Sequence, residues 1–543
     1  PSPRMADLFE LNALTPLDGR YVARTQALRP YCSELSLIKH RVKVEVEYFI
    51  ALCTKARPPL APLQAFPHDL FPELRRMYEE FSQEDGVAVK AHEKVTNHDV
   101  KAVEYWLKGR FDALAADLSK NGEADKAAQV AKTKEFIHFG LTSQDVNNTA
   151  LPLMLKGALQ DILLPCLRTK VLAPLLRMAR EWHDVPLLAR THGQPATPTR
   201  LGKEIGVFCE RLRGQLALLV ADRRGHAPFG GFQAKFGGAT GGFNAHHVAF
   251  PEVNWMRFGD VFIQSLGLQR QQCTTQIEHY DSLASMLHCL CRINTILIDL
   301  CRDMWQYISM EYFKQTIKKD EVGSSTMPHK VNPIDFENAE GNLGMASAML
   351  QHLAAKLPIS RLQRDLTDST VTRNFGVPFG FLVIALSSIE KGLGKLLLNE
   401  AKLRADLEAN WEVVSEAIQT ILRRESFPNP YEELKKLTRT HQRLNKESLA
   451  AFINQLDVAP SVKEELLAIT PLNYLGVAPV SVAGGTSGAG NSGANGSIRQ
   501  HTGPQKPRMQ YVRKTAPAAG GGQESSKEGG REGGEGAKAA DGA

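Results

Sequence analysis

The stretch "LASMLHCLCRINTILIDLCRDMWQY" at residues 283–307 decides the fold class of this chain. Leu283, Leu290, Leu297 and Met304 recur every seven residues, and apolar side chains fill the positions between them, which is a heptad seam. About 25 residues at about 1.5 Å each predict a helix roughly 38 Å long, which suits a bundle better than a compact mixed sheet. A seam this continuous also predicts packing against other subunits.

Two further apolar-periodic regions, at residues 151–182 and 339–354, predict additional bundle helices. Strand signals are few. The glycine-rich stretch "FGGFQAKFGGATGGFN" at residues 229–244 lacks the spacings of a phosphate loop or a dinucleotide fingerprint, so we expect a loop or a short hairpin. These patterns predict an all-α fold.

A chain of 543 residues exceeds what one hydrophobic core usually supports. We expect an N-terminal helical domain at 5–125, a central long-helix bundle at 126–375, and a C-terminal helical domain at 376–477. The Gly/Ser-rich composition of residues 478–543 cannot bury enough surface to offset ordering entropy and predicts a disordered tail. Its basic island "KPRMQYVRK" raises RNA binding as an alternative to a solvated segment.

Net charge argues against nucleic-acid binding by the body of the chain. The formal charge is +6, and the tail carries eight Lys/Arg against five Asp/Glu, which is half of that excess. A basic pocket for a small anionic substrate stays open as an interpretation.

The eight cysteines form no CxxC pair, which favours reduced cytosolic thiols. We interpret Cys289 and Cys291, beside His288, as core residues and not as metal ligands. We find no segment near the roughly 18 apolar residues that span a bilayer, and no signal peptide. The sequence therefore predicts a cytoplasmic protein with no membrane partner.

The segment "GSSTMPHKVNP" at residues 323–333 breaks a helical region with glycine and two prolines. A capping serine would explain the turn alone, but Lys330 and Asn332 suit the capture of a carboxylate or phosphate. Neither Ser324 nor Ser325 has a lysine three residues on, so an SxxK nucleophile is excluded. A serine beside a cation and backbone N–H groups could instead ionise and act as a base.

A second broken segment, "RTHGQPATPTR" at residues 190–200, contains His192 as its only group that titrates near neutrality. A structural histidine and an acid–base catalyst are both open at this point. In a third, "TNHDVKAVEYWL", Asn97, His98 and Asp99 stand just before a helix, which Asp99 could simply cap.

Two more segments offer polar groups for binding. "FIHFGLTSQDVNN" carries His138, Thr142 and Ser143, which a helix start would also explain. "SRLQRDLTDSTVTRN" supplies three arginines together with serine and threonine, a set suited to a phosphate monoester: Arg361, Arg364, Ser369, Thr370 and Arg373.

Together these motifs resemble the adenylosuccinate lyase branch, in its bacterial-type form, of the fumarase/aspartase superfamily. "GSSTMPHKVNP" resembles the superfamily signature, and "RTHGQPATP", "TNHDVKAVEYWL", "TTQIEHYD" and "RDLTDSTVTRN" resemble that branch. The similarity runs from about Leu14 to Gly476. It implies a fumarase/aspartase-like long-helix bundle whose three-domain subunits form a homotetrameric helical core, with active sites assembled from three chains. Relative to the family, residues 113–133 predict an expanded surface loop.

The resemblance implies non-hydrolytic β-elimination of fumarate from adenylosuccinate, giving AMP, and from the succinylcarboxamide imidazole ribotide SAICAR, giving AICAR. It implies no metal and no organic cofactor. Ser324 would be the general base, with Ser325 as the alternative, and His192 the general acid. A serine alkoxide requires stabilisation by N–H groups and by Lys330.

The resemblance also implies a set of substrate-binding residues. Those around the nucleotide phosphate would be Arg20, Tyr21, Arg364, Ser369, Thr370 and Arg373. Those along the base and the succinyl group would be Asn97, His98, Asp99, Thr142, Ser143, Gln276, Lys330, Asn332 and Asn338, with His138 orienting the substrate.

Two alternatives stay open from the sequence. Another fumarate-releasing lyase, such as one acting on argininosuccinate, is disfavoured by the arginine set, because argininosuccinate has no phosphate. A non-catalytic helical scaffold is disfavoured by the presence of Ser324, His192 and Lys330.

Overall fold

The computed structural model describes residues 9–221, 227–316, 327, 330–438 and 444–477. Helices dominate this part of the chain, which confirms the all-α prediction. The α-helices are Val22–Thr25, Arg29–Cys32, Glu34–Lys55, Phe71–Glu79, Gln83–Thr96, Asp99–Lys120, Ala124–Thr133, Ser143–Gly157, Leu164–Cys166, Ala173–Glu181, Leu201–Leu219, Asn244–Ala249, Trp255–Ser265, Asp281–Ser309, Ile334–Lys356, Thr367–Thr372, Gly376–Leu393, Glu400–Glu408, Ser415–Arg424, Pro430–Thr438, Lys446–Gln455 and Pro460–Leu467.

Short 3₁₀ and π segments and a few strands complete the fold. The 3₁₀ helices are Gln26–Leu28, Ala61–Leu63, His68–Leu70, Lys134–Phe136 and Trp411–Val414, and the π-helical stretches are Ala158–Leu163 and Leu167–Leu172. The strands pair as Pro186–Leu187 with Thr199–Arg200, Arg190–Thr191 with Gln194–Pro195, Gln233–Ala234 with Gln269–Arg270, and Phe313–Gln315 with Leu396–Leu398.

The heptad stretch forms the longest regular α-helix of the described residues, Asp281–Ser309, with 29 residues. Leu290, Leu297 and Met304 are completely buried, so the heptad positions face the core as predicted. This helix packs along Ile334–Lys356, and that helix packs in turn along Gly376–Leu393. The central core is therefore a bundle of long helices.

A second long helix runs without a break from Ser143 to Glu181 and covers the region predicted from residues 151–182. Each of its two π stretches ends two residues before a proline, at Pro165 and Pro174. Proline has no N–H to bond the carbonyl four residues back, and wider π turns take up the missing bond. The helix thus continues through both prolines.

Three helices are long and apolar enough to cross a membrane by length and composition: Ser143–Glu181, Asp281–Ser309 and Thr367–Leu393. The expectation that no segment reaches that threshold is therefore wrong. The physical reason is that these helices supply the core, since 44%, 61% and 72% of their most apolar windows are buried inside the structure. Bundle helices that are buried on several sides need apolar residues around most of their circumference.

Three hydrophobic clusters hold the fold. The central cluster contains the long helices, a second is built on Tyr48, Phe49 and Phe236, and a third contains Leu407 and Ile418. The second cluster combines residues from the N-terminal part of the chain with residues between 234 and 268, so a hydrophobic core here is not built from one continuous stretch of sequence. The domain boundaries at 125 and 375 stay a prediction.

Residues 113–133 are helical, which corrects the expected surface loop. Only residues 121–123 connect Asp99–Lys120 to Ala124–Thr133. Leu118, Ala127 and Val130 are buried in the second cluster, and this apolar face keeps the segment folded.

Residues 186–200 form two antiparallel strand pairs that end in a turn at His192 and Gly193, and we call this segment the ribbon. Its outer ladder pairs Pro186–Leu187 with Thr199–Arg200, and its inner ladder pairs Arg190–Thr191 with Gln194–Pro195. Both turn residues have positive φ, 52° and 76°, the signature of a type I′ turn. By contrast, the glycine-rich stretch makes no hairpin of its own, because Gln233–Ala234 pairs in parallel with Gln269–Arg270. The ribbon therefore presents His192 at its tip.

Candidate active site

Asp99 joins three segments that are distant in sequence. Its Oδ2 accepts from Arg41 Nη2 at 2.6 Å and from Arg373 Nη2 at 2.9 Å. Arg373 Nη1 donates in turn to Glu34 Oε2 at 2.6 Å. Burial alone would raise the pKa of Asp99, but the Arg41 guanidinium outweighs it and the pKa is lowered, so Asp99 is a carboxylate. Arg41, whose side chain is only 3% exposed, was missed by the sequence analysis because it looks like an ordinary helix residue.

Arg364 links the arginine-rich segment to Gln276. Its Nη1 donates to Gln276 Oε1 at 3.3 Å and its Nη2 to Ser369 Oγ at 3.1 Å. Ser369 Oγ also accepts from Gln144 Nε2 at 3.4 Å. Arg364 Nε is buried without a hydrogen bond and lies 3.8 Å from Asp368 Oδ1. The predicted segments that contain Gln144, Gln276 and Arg364 therefore meet at one place. The two oxygens that accept hydrogen bonds from Arg364 are both neutral.

Tyr280 links the same segments through its hydroxyl group. Its hydroxyl accepts from Asn148 Nδ2 at 2.8 Å and donates to Asp368 Oδ2 at 3.3 Å. The residue is 2% exposed, and burial raises its pKa well above the usual range, so the phenol stays protonated. The motif "TTQIEHYD" was the only sequence signal for it.

His138 is held by a buried carboxylate. Its backbone N–H donates to Glu45 Oε2 at 3.1 Å, and its Nδ1 lies 2.5 Å from Glu45 Oε1. Burial would lower the pKa of His138, but the fully buried Glu45 outweighs that effect and the pKa is raised. The imidazole is therefore oriented and biased toward its charged form.

Thr142 and Ser143 stand at the start of the long helix that continues to residue 181. The Thr142 N–H donates to Asp145 Oδ2 at 2.8 Å. Asp145 Oδ1 accepts from Lys235 Nζ at 2.8 Å and from the Gly237 N–H at 2.8 Å, and the Asp145 and Lys235 side chains are completely buried. This ion pair fastens the glycine-rich stretch to the first turn of the helix that Thr142 caps, and no local pattern in the sequence pairs Lys235 with Asp145.

Asn338 and Tyr21 form a second polar group. Asn338 Nδ2 donates to the Tyr21 hydroxyl at 3.1 Å, and Ser388 Oγ donates to Asn338 Oδ1 at 2.8 Å. The Arg20 guanidinium carbon lies 5.8 Å from the Tyr21 ring centroid, and Arg20 is exposed. Tyr21 thus places an exposed arginine beside an oriented amide.

Asn97, His98 and Thr370 lie at helix ends or on the surface. Asn97 ends Gln83–Thr96 with a φ of 50°, and His98 caps the next helix because its Nδ1 accepts from the Lys101 N–H at 3.1 Å. Thr370 is exposed on the short helix Thr367–Thr372. The expected capping role belongs to His98 and not to Asp99, which begins the helix.

The remaining predicted groups lie apart from these contacts. His192 is exposed at the tip of the ribbon, and within the described residues no hydrogen bond reaches its imidazole. Lys330 is exposed and Asn332 half-buried, just after the region that holds Ser324 and Ser325. Both serines lie outside the described residues, so the choice between them stays a prediction.

Arg41, Arg364 and Arg373, which we call the arginine cluster, lie on the segments described above. A cavity of about 70 Å³ opens here, lined among others by Arg41, Gln144, Tyr280, Ser369 and Arg373. Small-molecule sites usually measure about 300–1,000 Å³, so this space is too small for a nucleotide. Across the part of the chain that the structure describes, no group of three or more His, Cys, Asp or Glu side chains could hold a metal ion.

Cys289 and Cys291 are buried in the helix Asp281–Ser309, as predicted, and His288 on the same helix is exposed.

Comparisons with known proteins point to one family. A family model described as "Lyase" matches residues 19–348, and one described as "Adenylosuccinate lyase C-terminal" matches residues 360–475. Among solved structures, a fumarate lyase from Mesorhizobium sp. BNC1 shares the fold with a TM-score of 0.61 at 18% identity, over 84% of this chain and 96% of that one. The 3-carboxy-cis,cis-muconate lactonizing enzyme from Pseudomonas putida gives a TM-score of 0.61 at 22% identity, over 88% and 97%. The predicted fumarase/aspartase-like fold is confirmed.

Curated relatives are much more similar in sequence. The adenylosuccinate lyase of Dictyostelium discoideum is 52% identical over 477 residues, which is 87% of this chain and 98% of the relative. Those of Legionella pneumophila strain Corby and Escherichia coli strain K12 are both 45% identical, again over 87% of this chain and 98% of each relative. By this identity and coverage, the chain belongs to the adenylosuccinate lyase family.

Proposed function

We propose that this chain is a carbon–nitrogen lyase that eliminates fumarate from adenylosuccinate, giving AMP, and from SAICAR, giving AICAR. The proposal assigns His192 as the general acid and Ser324 as the general base, with Ser325 as the alternative. It uses no metal and no organic cofactor. The observation that carries it is the convergence of Arg364, Ser369 and Gln276.

The arginine cluster supports recognition of a nucleotide phosphate. Both Nη atoms of Arg364 donate to neutral oxygens, and its nearest carboxylate in the described chain, Asp368, stands 3.8 Å away. The charge of the guanidinium is therefore only partly compensated, and its N–H groups can donate to the oxygens of a phosphate. Arg373 is already paired with Glu34 and Asp99, so a phosphate that binds it must compete with these carboxylates.

The remaining assignments follow the chemistry of β-elimination. A base removes the proton beside a succinyl carboxylate, the electron pair forms the carbon–carbon double bond, and an acid protonates the departing nitrogen. Lys330 and Asn332 would hold the carboxylate on which negative charge develops, because a cation and an amide stabilise that charge. His138, oriented by Glu45, would orient the substrate.

We further propose a cytoplasmic homotetramer whose subunits each have domains at 5–125, 126–375 and 376–477. The small cavity and the exposed His192 of one chain support sites that neighbouring subunits complete. The heptad helix Asp281–Ser309 would then pack against its copies as well as its own chain.

The test is turnover of adenylosuccinate and SAICAR, followed by the change in purine or imidazole absorbance, with argininosuccinate as the control substrate. We expect His192→Ala and Ser324→Ala each to lose about 10²- to 10⁴-fold in kcat, because general acid or base help is worth that much. Both variants should keep the oligomeric state of the unaltered protein. Turnover of argininosuccinate alone would refute the proposed substrate, and near-normal kcat in either variant would refute that residue's role.

Phosphate recognition has its own matched pair of variants. Arg364→Gln should raise KM at least about tenfold, since a charge-assisted bidentate contact is lost. Arg361→Gln serves as the comparison: the sequence groups Arg361 with Arg364, but its side chain is 80% exposed and its ion pair to Asp365 is 3.8 Å long, so we expect the KM of this variant to stay unchanged. Equal KM changes in the two variants would remove Arg364 from the phosphate site.

A further inference from the structure

The stem of the ribbon is built into the C-terminal helical region. Leu188 is 2% exposed and belongs to the hydrophobic cluster of Leu407, Val413 and Val414. On the returning side of the ribbon, Thr197 Oγ1 donates to Glu416 Oε2 at 2.5 Å. The stem is therefore held by packing and by a charge-assisted hydrogen bond.

Asp406 adds a third attachment close to the tip. Its Oδ2 accepts from Tyr312 Oη at 2.8 Å and from Arg190 Nη2 at 3.4 Å. Arg190 stands two residues before His192 in the first strand of the inner ladder. Tyr312 is 2% exposed and directly precedes the strand Phe313–Gln315, so one half of the attachment is anchored in the central core.

The tip itself has no such support. Thr191, His192, Gly193 and Gln194 are all exposed, and among the described residues none hydrogen-bonds the His192 ring. The position of the imidazole therefore depends on how the stem is held, because a two-residue turn transmits any shift of its strands directly.

We propose that Asp406 is a positioning residue for the reaction and that it acts through Arg190 to place His192. The proposal rests on the assignment of His192 as the general acid. Reacting groups must be placed within a few tenths of an ångström, and a displacement of about 1 Å can cost about 10²-fold in rate. Within one chain the tip is exposed and has no apolar packing of its own, so the Asp406 carboxylate supplies the nearest restraint on the strand that leads to it.

The experiment compares Asp406→Asn and Arg190→Gln in the full chain. Each should lower kcat about 10- to 100-fold and leave KM for adenylosuccinate within about twofold. Arg190→Gln leaves the Tyr312–Asp406 bond in place, so it tests the ribbon contact even if Asp406→Asn folds poorly. The kcat of the double variant should be no lower than that of the more impaired single variant, because both substitutions break the same Arg190–Asp406 contact.

Lys402→Met is the matched control. Lys402 Nζ lies 3.2 Å from Asp406 Oδ1, but among the described residues its side chain makes no hydrogen bond or ion pair with the ribbon or with Tyr312, so kcat should be unchanged. Introduced into a His192→Ala background, Asp406→Asn should cause no further loss, whereas a general structural defect would lower the residual rate again.

Normal kcat in both single variants would overturn the proposal, and so would an equal loss in the His192→Ala background. Failure of the proposed function looks different, because the unaltered protein would then not turn over adenylosuccinate, or His192→Ala would turn it over at the normal rate.

Discussion

Glu278 offers a sharp test of how burial changes ionisation in this fold. The residue is 6% exposed, and its Oε1 accepts from Gln271 Nε2 at 2.9 Å. Burial raises the pKa of Glu278 from 4.5 to about 8, and the nearby Asp281 adds to the increase. The backbone N–H of Tyr280 and the Gln271 amide oppose it without cancelling it. We expect Glu278→Gln to stabilise the protein at alkaline pH.

The sign follows from proton linkage. Between pH 4.5 and about 8 the folded chain keeps the proton that the unfolded chain has lost, so the folded state binds more protons and its stability falls as pH rises. At about 1.4 kcal/mol per pH unit, this loss reaches roughly 4 kcal/mol at pH 8. Glutamine keeps the acceptor for Gln271 and cannot ionise, so the variant avoids the loss.

The assay is urea denaturation at pH 5 and at pH 8, with the exposed Glu252→Gln as the control. Glu278→Gln should unfold at a higher urea concentration than the unaltered protein at pH 8 and at nearly the same concentration at pH 5. Glu252→Gln should change neither midpoint. A difference of equal size at both pH values, or a less stable variant at pH 8, would refute the reasoning.

Three further predictions concern other buried or strained groups. Lys235→Met should destabilise the fold by about 3–5 kcal/mol in urea denaturation, because it leaves Asp145 buried without its cation. Lys170→Met, at the partly exposed pair with Glu390, should cost at most about 1 kcal/mol, and equal costs would contradict the prediction. Burial lowers the pKa of His246 to about 4, so the free energy of unfolding should fall as pH drops from 6.5 toward 4. His246→Gln should flatten that pH dependence, and an unchanged slope of stability against pH would show that His246 does not cause it. Gly193→Ala should reduce kcat and lower the melting temperature, because alanine at a φ of 76° is strained; unaltered kinetics would show that the turn tolerates a side chain.

The long helices were predictable because their signal is local. A heptad spacing needs only neighbouring residues to be read, and the helix Asp281–Ser309 appeared where the seam predicted it. The turn at His192 and Gly193 was recognisable in part, since glycine marks a break, although the strands on either side were not predicted. Within the arginine-rich segment Arg364 contacts Ser369, and the phosphate site expected there stays a prediction.

The sequence alone determined the fold class, the family and the segments that carry the polar groups, because periodicity and motifs are encoded within a few consecutive turns. Only the tertiary structure showed which partners those groups meet. Arg41 finds Asp99 across 58 residues, Lys235 finds Asp145 across 90, and Arg190 finds Asp406 across 216. No local pattern specifies such pairs, since each partner looks like an ordinary surface charge in the sequence. Packing then removes Arg41, Lys235 and Asp145 from water, and an opposite charge must compensate the cost of their burial.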